Sequence, residues 1–273
     1  LIPENPRRVW RPTSLDQLAR LQQERPDRCL LAGGTVALPS WQNSTAPEEV
    51  IYLPAIAELQ DRGRTWCGAA VTLADIAATS DYPTVLRQAA ASIASPGIRN
   101  TATLGGNLAF SGDRCLAVAL LTLDAWVECL RAEHATVHRM PLESILHNPK
   151  QTIVRVGWTL PADSRSYFTK FGVRATSGMN LATVAIHLYH TANGPDCRFA
   201  VGATGAAPQR LPATENTWKA MAQQPEAAVA TGQAAANEVQ VQEEELVPTA
   251  YRREIVGVLI ERALCRLVKE ECL

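Results

Sequence analysis

Two stretches decide how this chain folds: LLAGGTVAL at residues 30–38 and TATLGGNLA at residues 101–109. Each is read as an apolar strand end, then Gly-Gly, then a residue with a small polar side chain. Without a Cβ, glycine turns the backbone through positive φ and lets it approach a ligand, so that consecutive amide N–H groups can cradle a phosphate. Thr35 and Asn107 would add side-chain donors. Two such loops converging could hold the two phosphates of a dinucleotide. An isolated Gly-Gly is most simply a tight turn. Neither stretch fits G-x-G-x-x-G, nor does GATGAA (202–207), which argues against a Rossmann domain. G-x-x-x-x-G-K-[ST] is absent as well.

Around these loops the pattern alternates helix and strand. Ser14 is placed to cap a helix that carries Leu15, Leu18, Ala19 and Leu21 on one stripe. Cys29 to Ala32, EVIYL (49–53) and TWCGAAV (65–71) read as strands, and Thr72 as the cap of a second helix. A further helix spans Pro83 to Ala94 and stops before Pro96-Gly97. LAVALLTLD (116–124) is a short buried element, and WVECLRAEHATVHRM (126–140) is two strands joined near Glu133 and His134. The polar stretch Pro161 to Ser166 marks a boundary. Three strands follow in FTKFGVRA, MNLATVAIHLYHT and CRFAVGATG, then a helical region over 214–246 and an amphipathic terminal helix with Ile255, Val258, Leu259, Leu264 and Leu267.

Composition narrows the function. With 273 residues, 47% hydrophobic and 19% charged, the chain can build one compact unit or two or three small domains. A net charge of −1 with dispersed Lys and Arg gives no field for nucleic acid or an anionic membrane. The N-terminal LIPENPRRVWRP has no apolar signal core and no run approaches a membrane span, which points to a cytoplasmic protein. Seven scattered cysteines without C-x-x-C argue against an iron–sulfur cluster on this chain. His134 and His138 fall in a hairpin, and His187 and His190 on opposite faces of a strand, so no metal site is expected. There is no G-x-S-x-G elbow and no catalytic side chain is assigned.

Taken in order, RPTSLDQLARL, LAGGTVAL, CGAAVTLADIA, ASIASPGIRNTATLGGNLA, ALLTLDA, KFGVRA, GATGAAPQR and YRREIVGVLIERAL resemble the FAD-binding medium subunits of the molybdenum hydroxylases, the family of carbon monoxide dehydrogenase and xanthine dehydrogenase. The resemblance implies an α+β, vanillyl-alcohol-oxidase-like (PCMH-type) fold. Two FAD-binding subdomains (1–55 and 56–163) would precede a C-terminal α+β domain (164–273) with a three-stranded antiparallel sheet. It implies that Leu31, Ala32, Gly33, Gly34, Thr35, Val36 and Ala37 form one diphosphate loop and Thr103, Leu104, Gly105, Gly106 and Asn107 the other. Ile93 would approach the isoalloxazine ring, Ile153 or Val154 the adenine or flavin edge, and Lys170 the ring system. The chain departs from the family at Val36 and Pro39. It departs again in FSGDRCLAVALL, where Cys115 stands at the position of an aspartate that bonds the ribityl chain and Asp113 is the available substitute.

The same resemblance implies an electron-transfer role. An iron–sulfur small subunit would deliver electrons, a molybdopterin-binding large subunit would oxidise the substrate, and FAD would pass electrons to NAD or another acceptor. Two alternatives stay open: a degenerate structural subunit without flavin, and a stand-alone flavoprotein oxidase.

Overall fold

The computed structural model describes residues 8–41, 46–110, 112, 114–147, 151–172, 180–192, 194–243 and 247–269. Packing gathers them into two compact units. One unit takes Leu1–Ile76, Ser95–Phe110 and Trp126–Trp158, and the other Ala77–Ala94, Ser111–Ala125 and Thr159–Leu273. The borders read at 55/56 and 163/164 divide the chain linearly, whereas each unit is closed by segments that return to it after an excursion.

The first unit opens with three parallel strands, β1 (Arg8–Trp10), β2 (Cys29–Leu31) and β3 (Glu49–Tyr52), in the order β1-β3-β2. Parallel neighbours need crossovers, and helices supply them. Leu15–Glu24 joins β1 to β2, with Ser14 accepting from the Gln17 amide at 3.3 Å as the cap predicted. Its Leu18 and Ala19 are fully buried against Ile51, Ile56, Leu59, Ala70 and Val154. One charge cluster ties the sheet together. Arg28 donates to Glu49 Oε2 at 2.6 Å and Trp10 Nε1 donates to the same oxygen at 3.3 Å. The Arg8 and Arg28 guanidinium groups lie 3.9 and 4.7 Å from the Trp10 ring centre. The Arg28 hydrogen bond holds the Glu49 carboxyl below its ordinary range.

A second sheet in this unit is antiparallel: β4 (Arg62–Gly63), β5 (Trp66–Gly68), β6 (Trp126–Arg131), β7 (Thr136–Pro141) and β8 (Thr152–Gly157), in the order β4-β5-β8-β6-β7. The β6–β7 hairpin turns where expected, through Ala132–His134. Gly157 is required because Trp126 lies across it. A Cβ there would stand 2.0 Å from Trp126 Cζ2.

The second unit holds β9 (Arg165–Gly172), β10 (Asn180–Thr191), β11 (Gly194–Gly202) and β12 (Gln209–Arg210), all antiparallel in the order β12-β11-β10-β9. Three strands were expected. The fourth is two residues long, too short to leave a pattern, and pairs with Ala200 and Val201. Helices Pro212–Met221, Ala227–Glu238 and Thr249–Lys269 follow, and Ala182, Val184, Ile186, Phe199, Val201, Val256 and Ile260 share one core. The opposite side of β10 meets the end of helix Cys115–Leu121, where His187 Nδ1 stands 2.9 Å from the Thr122 carbonyl oxygen. Strand β10 is thus covered on both faces, which explains its continuous buried run from Leu181 to His187. His187 and His190 fall on opposite faces; His187 lies within the buried run, and His190 is exposed beyond it, near the end of the strand. Among the described residues no helix is long and apolar enough to cross a membrane, and no group of His, Cys, Asp and Glu could hold a metal ion.

Candidate functional site

The first glycine segment follows β2, at the edge of the parallel sheet. Gly34 has φ +70°, a conformation that favours glycine. Gly33 is needed for closeness, since a Cβ on it would stand 1.9 Å from the Thr101 carbonyl oxygen. The chain then enters the short helix Ala37–Trp41, with Leu38 and Ser40 amides donating to the Gly34 and Val36 carbonyls. The amides of Gly33, Gly34, Thr35, Val36 and Ala37 meet no acceptor among the described residues. The Thr35 hydroxyl is likewise uncommitted, and Val36 is 50% exposed. Five donors and a hydroxyl in succession suit an anion with several oxygens.

The second glycine segment differs from its sequence reading. Its glycines follow no strand; they form the first turn of a helix, Leu104–Ala109, capped by Thr103. Thr103 Oγ1 accepts from the Gly106 amide at 3.2 Å, and its carbonyl accepts from the Asn107 amide at 2.9 Å. The Gly105 amide donates to the Ala69 carbonyl at 2.8 Å and the Leu104 amide to that of Val71 at 3.0 Å. These amides are committed inside the protein. The glycines supply room instead: a Cβ on Gly105 would come 2.8 Å from that of Ala69. Thr103 was the available signal, an N-cap hydroxyl three residues before the amide it accepts from. Two glycines of low helix propensity masked the turn that follows.

The two segments meet where Gly33 packs on Thr101 and Ala102. Beside the junction lies a cleft of about 110 Å³. Four expected site residues line it, Ala32, Gly105, Gly106 and Ile153, with apolar neighbours such as Leu30 and Ala70. Of the two alternatives on β8, Ile153 faces the cleft, while Val154 belongs to the core with Leu18 and Ile51. Leu104 is buried away from solvent and Leu31 packs near Gly34. Two polar residues that sequence reasoning missed, Gln151 and Thr152, also line the cleft. Neither belongs to a motif.

The remaining expected residues lie in the second unit, except Asp113, which falls outside the described residues. Ile93 is half-buried just beyond helix Thr84–Ala91, its amide donating to the Ala90 carbonyl at 3.3 Å. Cys115 is buried as the first residue of a helix in which every residue through Leu121 is buried. Arg114 before it is 8% exposed, and burial lowers its pKa. Lys170 is half-buried on β9, opposite Thr183.

One compact unit thus holds paired glycine segments, a run of uncommitted amides and an apolar cleft. Residues 5–160 match the family model described as FAD binding domain in molybdopterin dehydrogenase. The chain belongs to that family, an FAD-binding family of oxidoreductases. It is 27% identical over 271 residues to the nicotine 6-hydroxylase medium subunit of Paenarthrobacter nicotinovorans, covering 93% of this chain and 94% of that one. Two solved structures share the fold. A chain of carbon monoxide dehydrogenase from Hydrogenophaga pseudoflava superposes with a TM-score of 0.85 at 21% identity, covering 98% of this chain and 99% of that one. A chain of quinoline 2-oxidoreductase from Pseudomonas putida 86 gives 0.86 at 18% identity, covering 99% of each.

Proposed function

We propose that the chain is the flavin subunit of a molybdenum hydroxylase complex, carrying electrons from iron–sulfur clusters on one partner to NAD or another acceptor while a molybdopterin-bearing partner oxidises the organic substrate. The observation that carries this reading is the junction of Gly33 with Thr101 and Ala102, which sets the uncommitted amides of Gly33 to Ala37 beside the apolar cleft. The residues present fit FAD. The amides and the Thr35 hydroxyl would hold the diphosphate, and the apolar cleft would take adenine between Ala32, Gly105, Gly106 and Ile153.

When bound, FAD supplies the redox chemistry, collecting single electrons and releasing them in pairs. The chain's own residues bind and orient. The first loop fixes phosphate oxygens through backbone dipoles that need no reorganisation, and the apolar lining excludes water from the base. Ile93, Lys170 and Cys115 are proposed for the flavin half, with Asp113 as the ribityl partner. No side chain is asked to act as acid or base. Coverage of nearly the full length of a medium subunit supports a subunit role over a stand-alone oxidase.

The test is purification with untagged partners, followed by an absorbance spectrum and identification of the accompanying chains. A yellow complex containing a molybdopterin chain and an iron–sulfur chain is expected. A fully assembled complex without flavin would favour the structural subunit instead.

A further inference from the structure

The cleft lining is apolar except for Gln151 and Thr152, neighbours at the start of β8. Thr152 is 6% exposed, and its hydroxyl oxygen accepts from Gln22 Nε2 at 2.9 Å across 130 residues of sequence. A hydroxyl that accepts in this way keeps its own proton to donate. Gln22 Oε1 is buried without a partner. The side-chain amide of Gln151 makes no hydrogen bond among the described residues. Gln22 Oε1 is the buried atom left over, just behind Thr152, while Gln151 is half-buried; two polar side chains on an otherwise apolar wall are placed to meet the polar edge of a ligand. As a tie between helix Leu15–Glu24 and β8, the Gln22–Thr152 bond would account for itself, but not for an uncommitted amide next to it on the cleft wall.

We propose that Gln151 and Thr152 select the base of the dinucleotide, with Gln22 as the residue that positions Thr152. This deepens, and rests on, the FAD reading above. An apolar slot accepts any flat two-ring base, and discrimination needs groups left unpaired by the wrong one. A glutamine amide matches the amino group and adjacent ring nitrogen of adenine with one donor and one acceptor. The Thr152 hydroxyl, turned by Gln22, donates to a further ring nitrogen. Replacing the adenine amino group by a carbonyl oxygen, as in hypoxanthine, sets that oxygen against Gln151 Oε1.

The full-length chain, stripped of flavin, is titrated with FAD and with flavin hypoxanthine dinucleotide, following flavin fluorescence. Wild type is expected to bind FAD about 10-fold tighter than the hypoxanthine form, the scale of one hydrogen bond. Gln151→Leu should weaken FAD by a similar factor and abolish the preference. Thr152→Val and Gln22→Leu should each weaken FAD, with Thr152→Ser restoring it, and thermal unfolding identifies any variant that fails to fold. Equal affinity of wild type for the two dinucleotides, or a preference that survives in Gln151→Leu, overturns the inference and leaves FAD binding intact. A chain that binds neither dinucleotide removes the FAD reading itself.

Discussion

Gly33 and Thr101 lie so close that a single methyl group on Gly33 would stand 1.9 Å from the Thr101 carbonyl oxygen and 2.7 Å from its carbonyl carbon. Both obstructing atoms are backbone, so no rotamer change relieves the contact. Gly33→Ala is expected to push the two segments apart, at a cost of about 3 kcal/mol in unfolding free energy, and to abolish FAD retention. Chemical denaturation and the flavin absorbance of the purified protein measure the two effects. A variant that unfolds like wild type and stays yellow would show that the junction is not needed.

Ala32 sits on the cleft wall without being part of the close junction. Ala32→Leu should fill the cleft with a side chain and weaken FAD at least about 10-fold, while stability changes by less than about 1 kcal/mol. Titration with FAD beside a melting curve separates this variant from Gly33→Ala, in which both readings fall together.

His187 is 1% exposed, with its Nδ1 against the Thr122 carbonyl oxygen. Burial is the largest influence and lowers its pKa below the ordinary 6.5, outweighing the opposing effect of that hydrogen bond. The folded chain therefore binds fewer protons here than the unfolded chain below 6.5. The stability this site contributes is fully present above that value and is lost as pH falls toward the folded pKa. Melting temperature should drop between about pH 7 and pH 5.5, and the drop should shrink in His187→Asn. An identical pH profile in the variant would assign the effect elsewhere.

Glu238, at the end of helix Ala227–Glu238, caps a different helix. Its carboxylate accepts from the Ala213 amide at 2.9 Å and from the Thr214 amide and hydroxyl, both at 2.7 Å, in the first turn of Pro212–Met221. Glu238→Ala leaves those donors without the carboxylate and should cost about 2 kcal/mol, read as a lower denaturation midpoint.

Local signals carried much of the fold. Ser14 caps the helix that its hydroxyl and the Leu18-Ala19 stripe announced, and the β6–β7 hairpin turns at Ala132–His134. These features depend on neighbours in sequence. The parallel pairing of β1 and β2 on either side of β3 does not, because a four-residue strand carries no record of its partner. Glycine pairing signalled backbone geometry that a side chain would obstruct, and the structure uses it in two ways: Gly34 turns through positive φ and Gly33 lets Thr101 approach. Gly105 and Gly106 line the cleft, but the reading of a loop with open amides there did not hold, because a helical turn consumes those amides. Gln22, Gln151 and Thr152 were illegible for another reason: two polar residues 130 positions apart signal nothing until a fold brings them to 2.9 Å.

The first unit is closed by its own latest segment. Residues 1–76 provide the first glycine segment, 95–110 the second, and only 126–158 bring β6, β7 and β8. On a ribosome, where residues emerge one at a time, the nascent chain therefore displays its first glycine segment long before Ile153 arrives to wall the cleft. Such separated pairings carry a high loop-closure cost and fold slowly. Chains truncated before residue 152 should expose unpaired β5 and β6 edges and aggregate rather than accumulate as small flavin-binding fragments. For this protein, completion of the cleft is an event of late synthesis, and vulnerability to misassembly is expected in the interval before it.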